Sequence, residues 1–187
     1  MNEVAKIIPE DIKFDGSDDL IEILGEEMDN KFLAEVKKVS ISPEIVKKHK
    51  DIKIIYTPIH GTGVKLIPAA LRAFGFTNII NIPEQDVVSG EFPTVISPNP
   101  EEVAAMEMAN KKAAEIDADV VMASDPDADR IGVAVKNDKG SYVIVNGNRG
   151  QKFQQKRNFE KTPSRIEKAG VLDNGLYHAI EHLLSGE

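Results

Sequence analysis

The stretch ADVVMASDPDADRIGVAV (residues 118–135) decides the fold, because it sets an acidic loop between two apolar runs. The flanking runs, DADVVMA and RIGVAVK, are short, apolar and rich in valine, which is typical of buried strands. Between them, Asp125, Asp127 and Asp129 occupy alternate positions, and Arg130 follows directly. The stretch therefore predicts two strands joined by a loop that concentrates negative charge.

Outward from this loop, strands and helices alternate along the chain. IKIIYT (residues 52–57) and TNIINI (residues 77–82) are β-rich runs that predict two further strands. Between them, VKLIPAALRAFGF predicts a helix that ends at Gly75 and that Pro68 either shortens or kinks. SYVIVN, joined to RIGVAVK by NDKG, predicts a hairpin. The expected fold is a three-layer α/β/α sandwich whose mostly parallel sheet carries an antiparallel edge hairpin.

Capping residues predict where three other helices begin. Ser17 is expected to cap a bridging helix, and Ser42 a short second helix with Pro43 at its first position. Asn99 and Glu102 form a capping box before a stronger helix. The first helix carries an apolar stripe at every fourth position, at Leu20, Leu24, Met28, Phe32 and Val36. The buried stripe of the third comprises Val103, Met106, Ala109, Ala113 and Ile116.

Composition restricts the class of protein. A hydrophobic content of 41% describes an ordinary globular chain, and a net charge of −8 argues against general nucleic-acid binding. We expect no membrane span and no secretory signal, and the absence of cysteine fits a cytoplasmic location. The predicted domains are a linker with a bridging helix (residues 1–40), the α/β/α domain (residues 41–148) and an unassigned basic tail (residues 149–187).

Spacing limits how the three aspartates can meet. On a helix they would not share one face, and on a flat strand they would lie about 7 Å apart, too far to hold one ion. A loop curled at the carboxyl end of a strand would bring them together, where open α/β sheets bind ligands. Oxygen ligands alone favour Mg²⁺, Ca²⁺ or Mn²⁺ over zinc, and a calcium EF-hand is excluded because Arg130 stands where glycine is required. The alternative is a solvated acidic turn.

Four motifs give the sequence a family resemblance: IIYTPIHGTG, FPTVISPNPEE, SDPDADRIGVAV and VNGN, in that order. Together they resemble the second domain of the α-D-phosphohexomutases, the phosphoglucomutase/phosphomannomutase family, over roughly residues 1–148. That family transfers phosphate between C1 and C6 of a hexose phosphate through a bisphosphate, using a phosphoserine carried by another domain.

The resemblance implies a role for each motif residue. Asp125, Asp127 and Asp129 would ligate Mg²⁺, and Arg130 would face the phosphoryl group being transferred. The HGTG loop would lie near the cleft, with His60 and Gly61 at the substrate phosphate. For this loop, an ordinary strand–helix turn with an incidental histidine remains the alternative.

Other family motifs are not present in the sequence. There is no Ser-His-Asn-Pro loop to supply the phosphoryl donor, and Ser97 in SPNP is not expected to act as a nucleophile because no base accompanies it. Residues 149–168 are basic, with seven Lys or Arg against two acidic residues, and a short helix is expected in the tail. We therefore expect the metal-binding domain of a mutase, inactive alone, with the enzyme's other domains and a hexose phosphate or bisphosphate as partners. The alternative is a non-enzymatic module that binds metal or sugar phosphate and assembles with a partner that carries the missing domains; a HAD-type phosphatase is disfavoured.

Overall fold

The computed structural model describes residues 6–8, 10, 12–13, 16–40, 43–137 and 140–145. The predicted Ser42 cap and the basic tail with its short helix lie outside the described residues, as does most of the VNGN motif. The elements are a 3-10 helix (Asp18–Leu20), α1 (Gly25–Lys38), α2 (Pro43–Lys48), β1 (Lys53–Thr57), α3 (Gly63–Phe74), β2 (Asn78–Asn81), α4 (Glu107–Ile116), β3 (Val120–Ser124), β4 (Ile131–Lys136) and β5 (Tyr142–Ile144).

One five-stranded sheet organises the described residues, in the order β2-β1-β3-β4-β5. Strand β1 pairs in parallel with both β2 and β3, and Ile54 stands opposite Val120. Strands β3, β4 and β5 pair antiparallel, so β4 and β5 form the edge hairpin. The predicted mixed sheet is confirmed, although each strand is one to three residues shorter than its apolar run.

Helices cover both faces of this sheet. Because side chains alternate along a strand, Ile55 faces one layer while Ile54 and Tyr56 face the other. The first layer packs against α4 through Ala109 and Ala113. The second layer packs against α2 and α3, and its buried members are Val46, Ile54, Tyr56, Leu71, Phe76, Val120, Met122 and Val133. The three-layer α/β/α architecture is therefore confirmed.

The first helix differs from its prediction. Ser17 does cap a turn, since its Oγ accepts a hydrogen bond from the Asp19 N–H, but that 3-10 turn ends at Leu20. Helix α1 starts only at Gly25, whose φ of 64° interrupts a continuous helical path from Ser17. Helix α1 contacts α3, to which the Lys65–Asp29 ion pair joins it at 2.6 Å.

Most of the predicted stripe on α1 is exposed. Leu20 is 89% exposed, and Leu24, Met28 and Phe32 are exposed as well. The partly buried positions are Asp29, Leu33 and Val36. At Met28 and Phe32 the burial pattern is therefore displaced by one residue, which is about 100° around a helix, whereas Val36 is partly buried as the stripe predicts.

Helix α4 also begins later than predicted. Asn99 Oδ1 accepts from the Glu101 N–H, and Asn99 Nδ2 donates to Glu102 Oε1. These bonds differ from the reciprocal side chain–backbone bonds of the predicted capping box, and the helix starts only at Glu107. The intervening residues make i→i+3 bonds, as in Glu102 N–H to Asn99 C=O. Pro100 lies close against Gly132: a Cβ added to Gly132 would lie 2.2 Å from the Pro100 carbonyl oxygen. This contact lies at the start of the turns that precede α4. Val103, which the sequence places in the core, lies in these turns and is 72% exposed.

Helix α3 fits its prediction closely. It runs through the buried Pro68 and ends at Gly75, which has a φ of 119° and whose N–H bonds the carbonyls of Leu71 and Arg72. Within the described ranges, no helix combines the length and apolarity needed to cross a lipid bilayer.

Candidate metal centre

The acidic loop occupies the carboxyl edge of the sheet, between β3 and β4. Asp125 follows the last residue of β3, and Arg130 precedes the first residue of β4. The carboxyl end of the parallel neighbour β1 opens into the HGTG loop at the same edge. This is the edge at which open α/β sheets bind their ligands.

Hydrogen bonds within the loop curl it back on itself. The Asp125 carbonyl accepts from the Ala128 N–H at 3.0 Å, and the Asp125 N–H donates to the Arg130 carbonyl at 3.3 Å. Ala128 takes a left-handed φ of 60°, which reverses the chain after Asp127. The local sequence permits this path because Pro126 disfavours a helical conformation at Asp125.

The curl brings the three carboxylates together. One oxygen each from Asp125, Asp127 and Asp129 lies within 4.8 Å of the other two. Mg²⁺ bonds oxygen at about 2.1 Å, so ligand oxygens on opposite sides of the ion are about 4.2 Å apart. The donor set suits a hard divalent cation, because it contains only oxygen. Asp125 is buried, whereas the other two are exposed, which leaves open positions for water or a ligand.

Arg130 organises the buried member of the trio. Its backbone N–H donates to Asp125 Oδ1 at 2.9 Å, and its side-chain Nε–H donates to Oδ2 at 2.7 Å. Burial alone would raise the pKa of Asp125, but these hydrogen bonds outweigh it and lower the pKa. The Arg130 side chain remains 54% exposed, so its other guanidinium N–H groups can meet an anion.

The exposed carboxylates repel one another. The pKa of Asp129 is raised, first by its contact with the Asp125 carboxyl group and then by the charge of Asp127. A nearby positive charge would offset this repulsion between carboxylates, because an opposite charge favours the ionised form. The arrangement therefore fits a cation at the mouth of the loop and an anion beside Arg130.

His60 is held inside the protein. Its side chain is buried, and its Nδ1 lies 2.8 Å from the Val87 carbonyl. A carbonyl only accepts, so Nδ1 carries the proton. Nε2 lies 2.8 Å from the Thr94 hydroxyl. Because both ring nitrogens are engaged, phosphate binding by His60 stays a prediction that would require these bonds to break.

Gly61 lies against the acidic loop. A Cβ built on Gly61 would lie 2.4 Å from the Pro126 Cα and 2.7 Å from its carbonyl oxygen. Glycine is therefore required here for close approach of two backbones. Its part in phosphate binding stays a prediction, and its contact with the acidic loop is direct.

Several residues of the site were not predicted. Thr62 lies within the HGTG motif and donates to Pro126, whereas Gln85 and the partly buried Thr94 form a polar network with the buried His60 and Thr57. The HGTG motif, which contains Thr62, is the signal in the sequence that could have identified it. Thr94 lies within the motif FPTVISPNPEE and Gln85 lies in none of the four motifs, and nothing in the sequence shows that the two meet in the folded chain.

Ser97 also differs from expectation in one respect. The sequence suggests no base beside it, but its hydroxyl donates to Glu102 Oε1 at 3.0 Å. The same oxygen accepts from Asn99 Nδ2 at 3.3 Å, and the bonds are exposed. Ser97 is therefore part of the Asn99–Glu102 turn.

Fold and site together define an α/β/α domain with an acidic loop at the ligand-binding edge of its sheet. The family model described as phosphoglucomutase/phosphomannomutase, alpha/beta/alpha domain II, matches residues 30–140. The chain therefore belongs to the phosphoglucomutase/phosphomannomutase family.

Curated relatives agree with this assignment. A phosphomannomutase from Mycoplasmoides pirum is 33% identical over 138 residues, which cover 74% of this chain and 25% of the relative. A phosphopentomutase from Mus musculus is 36% identical over 120 residues, covering 64% of this chain and 19% of the relative. The chain thus spans a quarter or less of these relatives.

Solved structures show the same fold. A phosphoglucomutase/phosphomannomutase family protein from Burkholderia thailandensis matches with a TM-score of 0.54 and 17% identity, over 71% of this chain and 26% of the other. A putative phosphomannomutase from Thermus thermophilus matches with a TM-score of 0.54 and 19% identity, over 71% and 28%.

Proposed function

We propose that this chain is the metal-binding domain of a phosphoglucomutase or phosphomannomutase. The complete enzyme would move a phosphoryl group between C1 and C6 of a hexose phosphate, through a bisphosphate, in carbohydrate metabolism in the cytoplasm. The observation that carries the proposal is the convergence of three carboxylates beside a half-exposed arginine, in a chain of this family.

Each residue of the loop has a separate task in this proposal. Asp125, Asp127 and Asp129 hold Mg²⁺, which when bound neutralises negative charge on phosphoryl oxygens. Asp125 also holds Arg130 through Nε, which leaves the far side of the guanidinium free for a phosphate oxygen. The buried, ionised Asp125 keeps both the ligand set and the arginine in one place.

The sugar is proposed as a hexose because the motifs resemble the hexomutases and because relatives are named phosphomannomutase and phosphoglucomutase. The mouse relative is named phosphopentomutase, so a pentose phosphate is the natural comparison substrate. The proposal places the phosphoserine and the sugar contacts on other domains of the enzyme.

A non-enzymatic role is the second candidate. The same loop would then bind metal or sugar phosphate without turnover, in an assembly with a partner that carries the family's other domains. The observation behind it is that the three carboxylates and the half-exposed Arg130 can hold a cation and an anion without any turnover. Co-purification of the chain with a protein that carries the serine loop would support it.

Metal titration tests the proposal directly. Electron paramagnetic resonance should detect one Mn²⁺ bound by the 187-residue chain, and Mg²⁺ should displace it. Asp127→Asn removes one ligand charge and should weaken binding about tenfold or more, whereas the exposed control Asp51→Asn should not. Equal Mn²⁺ binding by all three proteins would contradict the metal assignment.

A coupled assay tests the claim about activity. The pure chain with Mg²⁺ should not convert glucose 1-phosphate or mannose 1-phosphate, because the proposal assigns the phosphoryl donor to another domain. Turnover by the pure chain that is lost in Asp127→Asn would show a self-sufficient mutase and overturn the claim that the isolated chain is inactive.

A further inference from the structure

The peptide between two of the proposed metal ligands is held from outside the acidic loop. Pro126 separates Asp125 from Asp127, and its carbonyl accepts two hydrogen bonds from Thr62. The Thr62 backbone N–H donates at 2.8 Å and its hydroxyl at 3.0 Å. Both lone pairs of this oxygen are thus used by one residue of the neighbouring HGTG loop.

The HGTG loop is itself anchored, so it can serve as a fixed support. The His60 N–H donates to the Gln85 carbonyl at 2.9 Å, and the His60 ring is bonded to Val87 and Thr94. Gly61 then lies in direct contact with Pro126. The chain from His60 to Thr62 therefore joins a buried polar network to the acidic loop.

We propose that Thr62 is a positioning residue for the metal centre, an inference that rests on the proposed function. By fixing the Pro126 carbonyl, Thr62 sets the direction in which the chain leaves Asp125 and enters Asp127. The loop's own hydrogen bonds fix Asp125 against Ala128 and Arg130, but they leave this peptide unfixed.

The proposed effect of Thr62 is on the population of the binding-competent loop. Three carboxylates in one loop repel one another when no cation is bound, so a conformation that spreads them apart has less electrostatic repulsion. A support outside the loop opposes that spreading. When only a fraction of molecules is competent, the apparent dissociation constant rises by the inverse of that fraction.

The chain offers a matched control for this contact. At the opposite edge of the sheet, Thr77 donates to the Lys50 carbonyl in the same way, from its N–H at 2.7 Å and its hydroxyl at 3.0 Å. Thr62 and Thr77 are both exposed. Thr→Val at either position removes one hydroxyl donor and keeps the shape and the backbone bond.

The experiment measures Mn²⁺ affinity of the full chain by electron paramagnetic resonance, for wild type, Thr62→Val, Thr62→Ser and Thr77→Val. We expect Thr62→Val to weaken Mn²⁺ binding about three- to tenfold, the net effect of one lost hydrogen bond. Thr62→Ser should restore wild-type affinity because it restores the hydroxyl. Thr77→Val should bind within twofold of wild type, with a urea midpoint close to that of Thr62→Val.

The outcomes separate this inference from the function on which it rests. If wild type binds no Mn²⁺, the proposed metal centre fails. If wild type binds and Thr62→Val matches Thr77→Val, the metal centre stands and the role of Thr62 is overturned. Failure of Thr62→Ser to restore affinity would equally contradict the role of the hydroxyl.

Discussion

Gly61→Ala is the substitution that best tests the packing beneath the metal centre. The added methyl group would lie 2.4 Å from the Pro126 Cα, whereas ordinary contacts begin at 3.4 Å, so the two backbones must separate by about 1 Å. Neither partner is a flexible side chain, and overpacking of this kind costs about 1–3 kcal/mol of unfolding free energy. Ligand groups must be held within about 0.5 Å. We therefore expect metal affinity to fall at least about tenfold.

Gly90→Ala is the control, because a Cβ at Gly90 meets nothing within 4 Å. Urea unfolding gives the stability of both variants, and isothermal titration with Mg²⁺ gives the affinity. Gly61→Ala should lower both the stability and the Mg²⁺ affinity, and Gly90→Ala should lower neither. If Gly61→Ala binds Mg²⁺ within twofold of Gly90→Ala and unfolds at the same urea concentration, the two loops do not pack as described.

Two further predictions concern stability. His60→Asn should lower the unfolding free energy in urea by about 1–3 kcal/mol, because asparagine tolerates the left-handed φ but loses ring bonds to Val87 and Thr94; an unchanged midpoint would contradict a structural role for the ring. Lys136 lowers the pKa of Asp117 through a hydrogen bond and its charge, so the pair stabilises the native state above the ordinary carboxyl pKa and loses this effect as pH falls through the lowered pKa. Asp117→Asn should therefore lower the urea midpoint more at pH 6 than at pH 2, and an equal decrease at both would contradict the ion pair.

The sheet could be predicted because its signals are local. IKIIYT and DADVVMA are apolar runs too short for helices, and the helical segments between them require parallel pairing. Gly75 ends α3 where the pattern places it. The start of α4 could not be predicted, because Asn99 and Glu102 bond each other within a turn and the Pro100–Gly132 contact joins that turn to a strand distant in sequence. Periodicity on α1 likewise shows an apolar stripe but not which face meets α3.

In the candidate site, too, features set by neighbouring residues could be predicted and features set by distant residues could not. The spacing of Asp125, Asp127 and Asp129 required a curled loop before they could meet, and the curl follows from bonds within six residues. The burial of His60 could not be foreseen, because its partners lie 27 and 34 residues away. Likewise, nothing in the sequence shows that Thr62 holds Pro126, 64 residues further along.

Metal binding by the acidic loop is measured most directly by paramagnetic broadening by Mn²⁺ in an amide-resolved spectrum of the ¹⁵N-labelled chain. At substoichiometric Mn²⁺, we expect the amide signals of Asp125, residues 127–130 and Thr62 to broaden first and to recover when Mg²⁺ is added in excess. Broadening centred on another acidic part of the chain, with the amide signals of Asp125 and residues 127–130 unaffected, would contradict metal binding by the acidic loop.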